Sequence, residues 1–448
     1  METQKEKNGL LTWLKRSATV KLAMVGFLSL LLLIPSSWVI ELIQERQGRQ
    51  REVIDEIAKS WSGNQNVIGP VLAVPYTAFQ RIKDDKGNIT TEEVKQYIFL
   101  MPDRLDVHTD ASPQLLHRGI FDAVVYNAQV SIKGNFEALD LKKLGVEGKQ
   151  LLWDKAQLLV SVSDVKGLRE IPRINIGDTT VAMEPSFSDL QAFKNSLSSP
   201  LDLSRKQSTE MSFSFELLLR GSEGFSLTPI GKNTLFELVG KWKDPSFTGS
   251  YLPETRAVSA TSFTSRWKIP HFNRPVPQQW TDKDGSRLHE AELGHSCGVN
   301  FLLPVDQYQK TMRSAKYAML IILLTFVSLL FTEFITKKLV NIVQYVLIGL
   351  AMVVYYTLLL SFSEQVGFMW AYIIASCATI VLIGVFIATI LKKKKSSLLL
   401  TGILSIFYLF VYVIIQLQEM ALLVGSIGLF VVIAMLMYAS SKISWEND

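Results

Sequence analysis

Cysteine is almost absent: Cys297 and Cys377 are the only two in 448 residues. Cys297 lies in a polar stretch and Cys377 inside an apolar run, so the pair is expected at different depths and no disulfide between them is predicted. Catalytic signatures are missing as well. The chain has no P-loop, no dinucleotide fingerprint, no Gly-x-Ser-x-Gly elbow and no EF-hand loop. It has no internal repeat. Its net charge of +5 is mild, and the basic residues cluster beside apolar runs, so they report topology rather than a nucleic-acid partner. No cofactor and no enzyme activity is expected.

Charge is scarce in the last third, and that scarcity sets the class. Between residues 315 and 438 the sequence is nearly continuous apolar runs. A bilayer core of about 30 Å takes roughly 20 apolar residues per helix. Five such runs fit, at 317–335, 343–361, 368–391, 398–415 and 421–438, and a sixth stands alone at 20–40. The expected fold is an α+β membrane protein. Six transmembrane helices carry a large β-rich, sandwich-like exported domain inserted between helix 1 and helix 2. The boundaries are a cytoplasmic segment at 1–19, an anchor at 20–40, the β-rich domain at 41–314, a five-helix domain at 315–438 and a cytoplasmic tail at 439–448.

Orientation follows from Lys and Arg in the short loops. Lys15, Arg16 and Lys21 precede or open run one, Lys337 and Lys338 follow run two, Lys392–Lys395 follow run four and Lys442 follows run six. The turns after runs three and five carry no positive charge. Both termini are therefore expected in the cytoplasm and the insert outside it. Run one is too long for a signal-peptide core and has no small-x-small cleavage site, so it is read as an uncleaved anchor. Residues 10–16 are read as a short amphipathic helix on the inner leaflet.

In the insert, Val53, Ile54, Ile57, Ala58 and Trp61 recur at helical spacing. Gly69-Pro70 is read as a break. Beyond it, period-two runs rich in β-branched residues appear at 71–76, 94–100, 120–133, 158–162, 211–220, 234–241 and 262–269. Turn signals separate them, at 83–88 and 220–224. A short helix is expected within 186–199. One domain of two packed sheets accounts for this pattern.

Candidate sites are few. His289, His295 and Cys297 form the one cluster of metal-ligand types, without the spacing of a zinc protease helix and without a fourth ligand, so no metal site is expected. Glu364 and Glu419 fall at the outer ends of runs three and five, with Gln365, Gln416 and Gln418 beside them and Asp306 before run two. With Arg313 and Lys316 as counter-ions these groups make one outer-rim cluster, a docking or relay site, because ionisable groups at a membrane call for a functional reading. Glu333 lies four residues before Lys337, a favourable helical ion pair, and is read as structural. Gly349, Ala351, Gly425 and Gly428 are read as close helix-packing positions.

Several motifs together resemble the CreD family of bacterial inner-membrane proteins, also called cell-envelope integrity proteins. They lie at 304–309 (Pro-Val-Asp-Gln-Tyr-Gln), 313–318 (Arg-Ser-Ala-Lys-Tyr-Ala), 361–364 (Ser-Phe-Ser-Glu) and 421–430 in the membrane part. In the exported part they lie at 69–76, 118–121, 245–253 and 271–280. The resemblance covers nearly the whole chain. It implies an inner-membrane location and a link to envelope integrity, often under two-component, stress-responsive regulation, and it supplies no reaction. Where the family tends to have His-Pro before run three, this chain has Asn341-Ile342. Where it tends to have Gln-Leu-Glu-Asp-Tyr, this chain has Gln416-Leu-Gln-Glu-Met420 and keeps one acid.

Three function classes are carried forward. The first is a non-enzymatic envelope-maintenance protein whose exported domain binds an envelope protein or lipid. The second is a transporter or lipid-handling protein, which the lack of a midplane charge disfavours. The third is a membrane enzyme using the rim carboxylates. The lipid bilayer is the one partner all three require.

Overall fold

The computed structural model describes residues 18–83, 89–146, 150–186, 196–204, 210–274, 276–282, 295–301, 307–336, 338–417 and 420–441. The chain is α+β and divides into two compact units. One comprises residues 1–51 and 305–448, the other residues 52–304.

The chain enters through α1 (Ala18–Leu31) and α2 (Leu33–Trp61). They are one helical rod interrupted at Leu32. Pro35 explains the interruption: it has no N–H to give the Leu31 carbonyl, and its ring crowds the preceding turn. The periodic residues at 53–61 therefore continue the anchor helix rather than start a new one. The unit boundary after Arg51 falls inside α2.

The β unit contains β1 (Gln65–Lys83), β2 (Ile89–Leu100), β3 (Arg104–Arg118), β4 (Phe121–Phe136), the capped turn α3 (Leu141–Leu144), β5 (Ala156–Val162), β6 (Arg173–Ile176), β7 (Thr179–Ala182), β8 (Glu184–Ser186) and β9 (Ser196–Leu201). It continues through β10 (Met211–Ser222), β11 (Gly224–Thr228), β12 (Asn233–Gly240), β13 (Pro245–Gly249), β14 (Thr255–Val258), β15 (Phe263–Pro270), β16 (Gln279–Asp282) and β17 (Cys297–Phe301). A nine-stranded sheet runs β13-β17-β11-β1-β5-β9-β8, with β2 on β1 and β16 on β2. An eight-stranded sheet runs β14-β15-β12-β3-β4-β10-β6-β7.

The period-two pattern determines which face is buried. In β10, Met211, Phe213, Phe215, Leu217 and Leu219 are buried, and Ser212, Ser214 and Glu216 point out. In β15, Phe263, Ser265, Trp267 and Ile269 are inward, and Thr264, Arg266 and Lys268 outward. The two sheets share one core. Phe225 of β11 meets Phe236 of β12 at 6.3 Å, and Phe236 stacks on Trp267 at 4.8 Å between ring centroids.

Two sequence expectations change here. Gly69-Pro70 does not end a segment: β1 runs through it with a cis peptide and a register shift between Ile68 and Val71. Pro70 sits at that irregularity, where a missing N–H is tolerated. A Cβ on Gly69 would lie 3.0 Å from the Leu159 carbonyl oxygen, at φ +129, so a side chain is disfavoured there. The turn expected at 220–224 is present at Glu223, φ 64, and it passes the chain from β10 in one sheet to β11 in the other. Residues 196–199 are strand β9 rather than helix. The rest of that stretch (187–195) lies outside the described residues, as do the turn at 84–88 and the segment 10–16.

The helical unit continues with α4 (Gln307–Lys316), α5 (Ala318–Thr336), α6 (Ile342–Val366), α7 (Phe368–Leu391), α8 (Lys394–Gln416) and α9 (Ala421–Ser441). Among the described residues, five helices are long and apolar enough to cross a membrane: the first rod and α5 to α8. In α9 the apolar stretch Ala421–Met435 is shorter. Leu22, Phe27, Leu30, Leu422 and Phe430 are large exposed apolar side chains, a surface suited to lipid. Glycines permit close packing. A Cβ on Gly349 would lie 2.2 Å from Leu32, and one on Gly428 2.0 Å from the Phe410 ring.

Candidate functional site

The predicted rim cluster is partly assembled, by residues the sequence reading did not single out. In α4, Tyr308, Thr311, Ser314 and Ala315 form a buried stripe at helical spacing. Tyr308 Oη donates to Glu364 Oε1 on α6 at 2.9 Å. Lys310 Nζ donates to Gln416 Oε1 at the end of α8 at 3.3 Å and lies 5.6 Å from the Phe368 ring centroid. One short helix thus engages Glu364 and Gln416 together. The expected counter-ions Arg313 and Lys316 lie in its last turn, and among the described residues neither forms an ion pair. The cation that reaches the rim is Lys310, and it meets the neutral Gln416 amide rather than a carboxylate. Asp306 and Glu419 lie outside the described residues, as does Gln418. The signal for Tyr308 and Lys310 was the i, i+3, i+6 polar stripe just before the apolar run.

Buried beside α4 is a tyrosine cluster. Tyr355 packs on Tyr356 at 4.7 Å, on Tyr408 at 4.8 Å and on Tyr372 at 6.0 Å between ring centroids. Tyr372 Oη donates to the Tyr408 carbonyl at 2.7 Å. The hydroxyls of Tyr356 and Tyr408 are buried without a hydrogen-bond partner among the described residues. In a bilayer interior such groups are costly.

At the other end of the bundle, Glu333 of α5 is 3% exposed and binds Lys21 Nζ of α1. It also accepts from Val340 N at 3.0 Å and from Tyr345 Oη at 3.1 Å. A capping box at Asn341 and Gln344 starts α6, which brings Tyr345 back onto the carboxylate. Lys337, the helical partner expected for Glu333, lies outside the described residues, and the cation seen on the carboxylate is the longer-range Lys21. The structural reading of Glu333 gains a second element, because its cation comes from the first helix. Burying a charge is tolerated where a partner and further hydrogen bonds satisfy it.

The far end of the first rod is fixed in the β unit. Ile57 packs on Ala123 and Val125, with Val53, Ile54 and Trp61 alongside. Glu56 pairs with Arg118 at 2.9 Å, and the Arg220 guanidinium lies 5.1 Å from the Trp61 ring centroid. Just past Trp61, the buried Gln65 amide donates to Ser62 Oγ at 2.8 Å, the Asp164 carbonyl at 2.9 Å and the Arg220 carbonyl at 3.1 Å, and accepts from Asp164 N at 3.2 Å.

The metal reading of the 289–297 loop loses its thiol. Cys297 is in β17, fully buried, with Sγ 3.5 Å from the Leu227 carbonyl, and burial pushes its thiol pKa up. The chain alternation of β17 turns it into the core instead of a loop. His289 lies outside the described residues, and no group of three ligand-type side chains that could hold a metal occurs among the described residues.

The profile of a family described as "Inner membrane protein CreD" matches residues 17–446. The Inner membrane protein CreD of Escherichia coli (strain K12) is 30% identical over 417 residues, covering 93% of this chain and 91% of that relative.

Proposed function

The chain belongs to the CreD family of inner membrane proteins, and from that premise we propose that it maintains the cell envelope without catalysing a reaction. The β unit lies on the periplasmic side and engages an envelope component. Six spans, α9 included, hold it to the membrane, with both termini in the cytoplasm. Support for this orientation comes from the alternation of basic and uncharged turns. Tyr308, Lys310, Glu364 and Gln416, with Asp306, Arg313, Lys316 and Glu419, form the outer rim where a partner or lipid headgroup docks.

One observation carries the reading. The first rod is fixed at both ends, by Lys21 to Glu333 in the helical unit and by Ile57 and Trp61 in the β unit. A change of state in the β unit, such as occupancy under stress, would act on a helix that continues in sequence into the helical unit. Photo-crosslinkers placed on the β unit in living cells test this. Capture of an envelope component that rises under envelope stress is the expected result; no envelope capture at any stage of stress sinks the reading.

A second reading, lipid handling, is favoured by an apolar groove of about 480 Å³ lined by Phe331, Ile335, Ile403, Phe407, Gly428 and Val432. Lipid scrambling by purified protein in proteoliposomes would support it, and inert vesicles would remove it.

A further inference from the structure

The open face of the eight-stranded sheet carries a line of charge across its strands. The register places Arg266 opposite Glu237, Glu237 opposite His108, His108 opposite Ser131 and Ser131 opposite Glu216. Arg173 precedes Ile174, which faces Phe215, so it extends the line beside Glu216. Six strands are crossed, about 24 Å at the usual strand spacing. The line is held in place by hydrogen bonds. Arg266 donates to Glu237 Oε1 at 3.1 Å, and His108 Nδ1 meets Glu237 Oε2 at 3.1 Å. Ser131 and Gln129 each donate to Glu216 at 3.3 Å. In the next line along the strands, Asp106 is opposite Lys133 and is bound by Arg104 at 2.8 Å.

This face forms the floor of a cleft of about 820 Å³. One wall is the segment 169–172, tied down by Arg169 N to the Leu218 carbonyl at 3.0 Å. That wall presents Glu170 and the 72% exposed Ile171. The size is in the range of ligand clefts, and the signs of charge interleave throughout it.

We propose that this cleft binds an extended peptide segment, laid across the strands, whose floor-facing side chains (every second residue) alternate in sign. The inference rests on the reading that the β unit engages an envelope component, and it names the chemistry of that component. A polymer of one sign meets repulsive groups as well as attractive ones, Glu237 and Glu216 against Arg266 and Arg173, and like-charge juxtaposition is a strong discriminator. An amphoteric chain in the right register meets only complementary partners. Phe215 of the lining is buried, and the exposed His108 ring is engaged edge-on by Glu237 through Nδ1, so the floor has no Phe, Tyr or Trp face open for stacking. Ile171 supplies an apolar contact at the edge of the groove. The line stops one strand short of each sheet edge, at Arg266 beside β14 and at Arg173 beside β7, and a segment laid across the strands is a different mode from strand addition at those edges.

The test uses the full chain in lipid nanodiscs and fluorescent peptides of equal length: Glu-Ser-Lys-Ser repeats, which alternate the sign on one face, and the single-sign Glu-Ser and Lys-Ser repeats. Anisotropy is expected to show the alternating peptide binding at least about tenfold more tightly than either single-sign peptide. A Glu237→Lys, Glu216→Lys variant is expected to lose that preference. A Glu237→Gln variant is expected to weaken binding of the alternating peptide in the folded protein, with folding checked by an unchanged circular dichroism spectrum at the assay temperature. A single-sign peptide that binds equally well, or a Lys variant that binds like wild type, overturns the proposal. Co-sedimentation with purified murein sacculi separates the two levels of the argument. Retention on sacculi without peptide binding removes the alternating-peptide inference and leaves the envelope reading standing. Absence of both removes both.

Discussion

Lys21 and Glu333 stand 312 positions apart in the chain and pair inside the helical unit. Val340 N and Tyr345 Oη complete the shell of the carboxylate. Removing one member of a buried pair strands the other. A Lys21→Met or Glu333→Gln change is therefore expected to cost about 3–5 kcal/mol. The double variant Lys21→Met, Glu333→Leu is expected to recover most of that loss, because no charge is left unpaired. Thermal unfolding of the purified protein in detergent, run as a double-mutant cycle, checks this.

Gln65 is the polar knot between the end of α2 and the sheets. Gln65→Leu leaves Asp164 N and the Asp164 and Arg220 carbonyls short of partners, at about 1–3 kcal/mol for an unsatisfied buried group. Gly167→Ala should act at the same place, since a Cβ there would lie 2.4 Å from the Arg220 carbonyl oxygen. Both variants are expected to loosen α2 from the β unit. Faster hydrogen exchange over residues 52–66 with unchanged exchange in β10 would show it; unchanged exchange in both would place the knot outside the coupling.

The two cysteines separate by environment. Cys297 is fully buried and its thiol is pushed up by burial, whereas Cys377 is exposed on α7. A lipid-soluble maleimide is expected to label Cys377 in the native protein and Cys297 only after unfolding. Native labelling of Cys297 would contradict the β17 register.

Glu237 gives the β unit an acid-side pH dependence. Partial burial raises its pKa, but hydrogen bonds from Arg266 and His108 outweigh this, and the carboxyl is held below its ordinary value. A carboxylate lowered in the folded state stabilises above its unfolded pKa of about 4.3. The contribution is lost as pH falls through the lower folded value. Glu237→Gln is expected to flatten the pH dependence of unfolding in that acid window and to leave it unchanged near neutrality. A parallel shift at all pH values would count against the Arg266–Glu237–His108 arrangement.

Much of this was legible in the sequence. Runs of apolar residues give α5 to α8 directly, and period-two segments give β10, β12 and β15, because each pattern depends on one face or one lipid-facing helix. Strands such as β3 were missed: its outward Arg104, Asp106, His108 and Asp110 make it look like a polar loop until the cross-strand partners are known. Glu364 and Gln416 were recognisable as helix-end polar groups, but Tyr308 and Lys310, which hold them, sit before the apolar run and were passed over. Lys21 was read as a topology marker, because a partner 312 residues away leaves no local trace.

The most direct measurement deletes the gene and follows envelope permeability to a detergent and a bulky dye, with the wild-type chain returned at its natural level. The account predicts increased entry in the deletion strain under envelope stress and full restoration by the wild-type chain. Unchanged permeability after deletion, with and without stress, would contradict it.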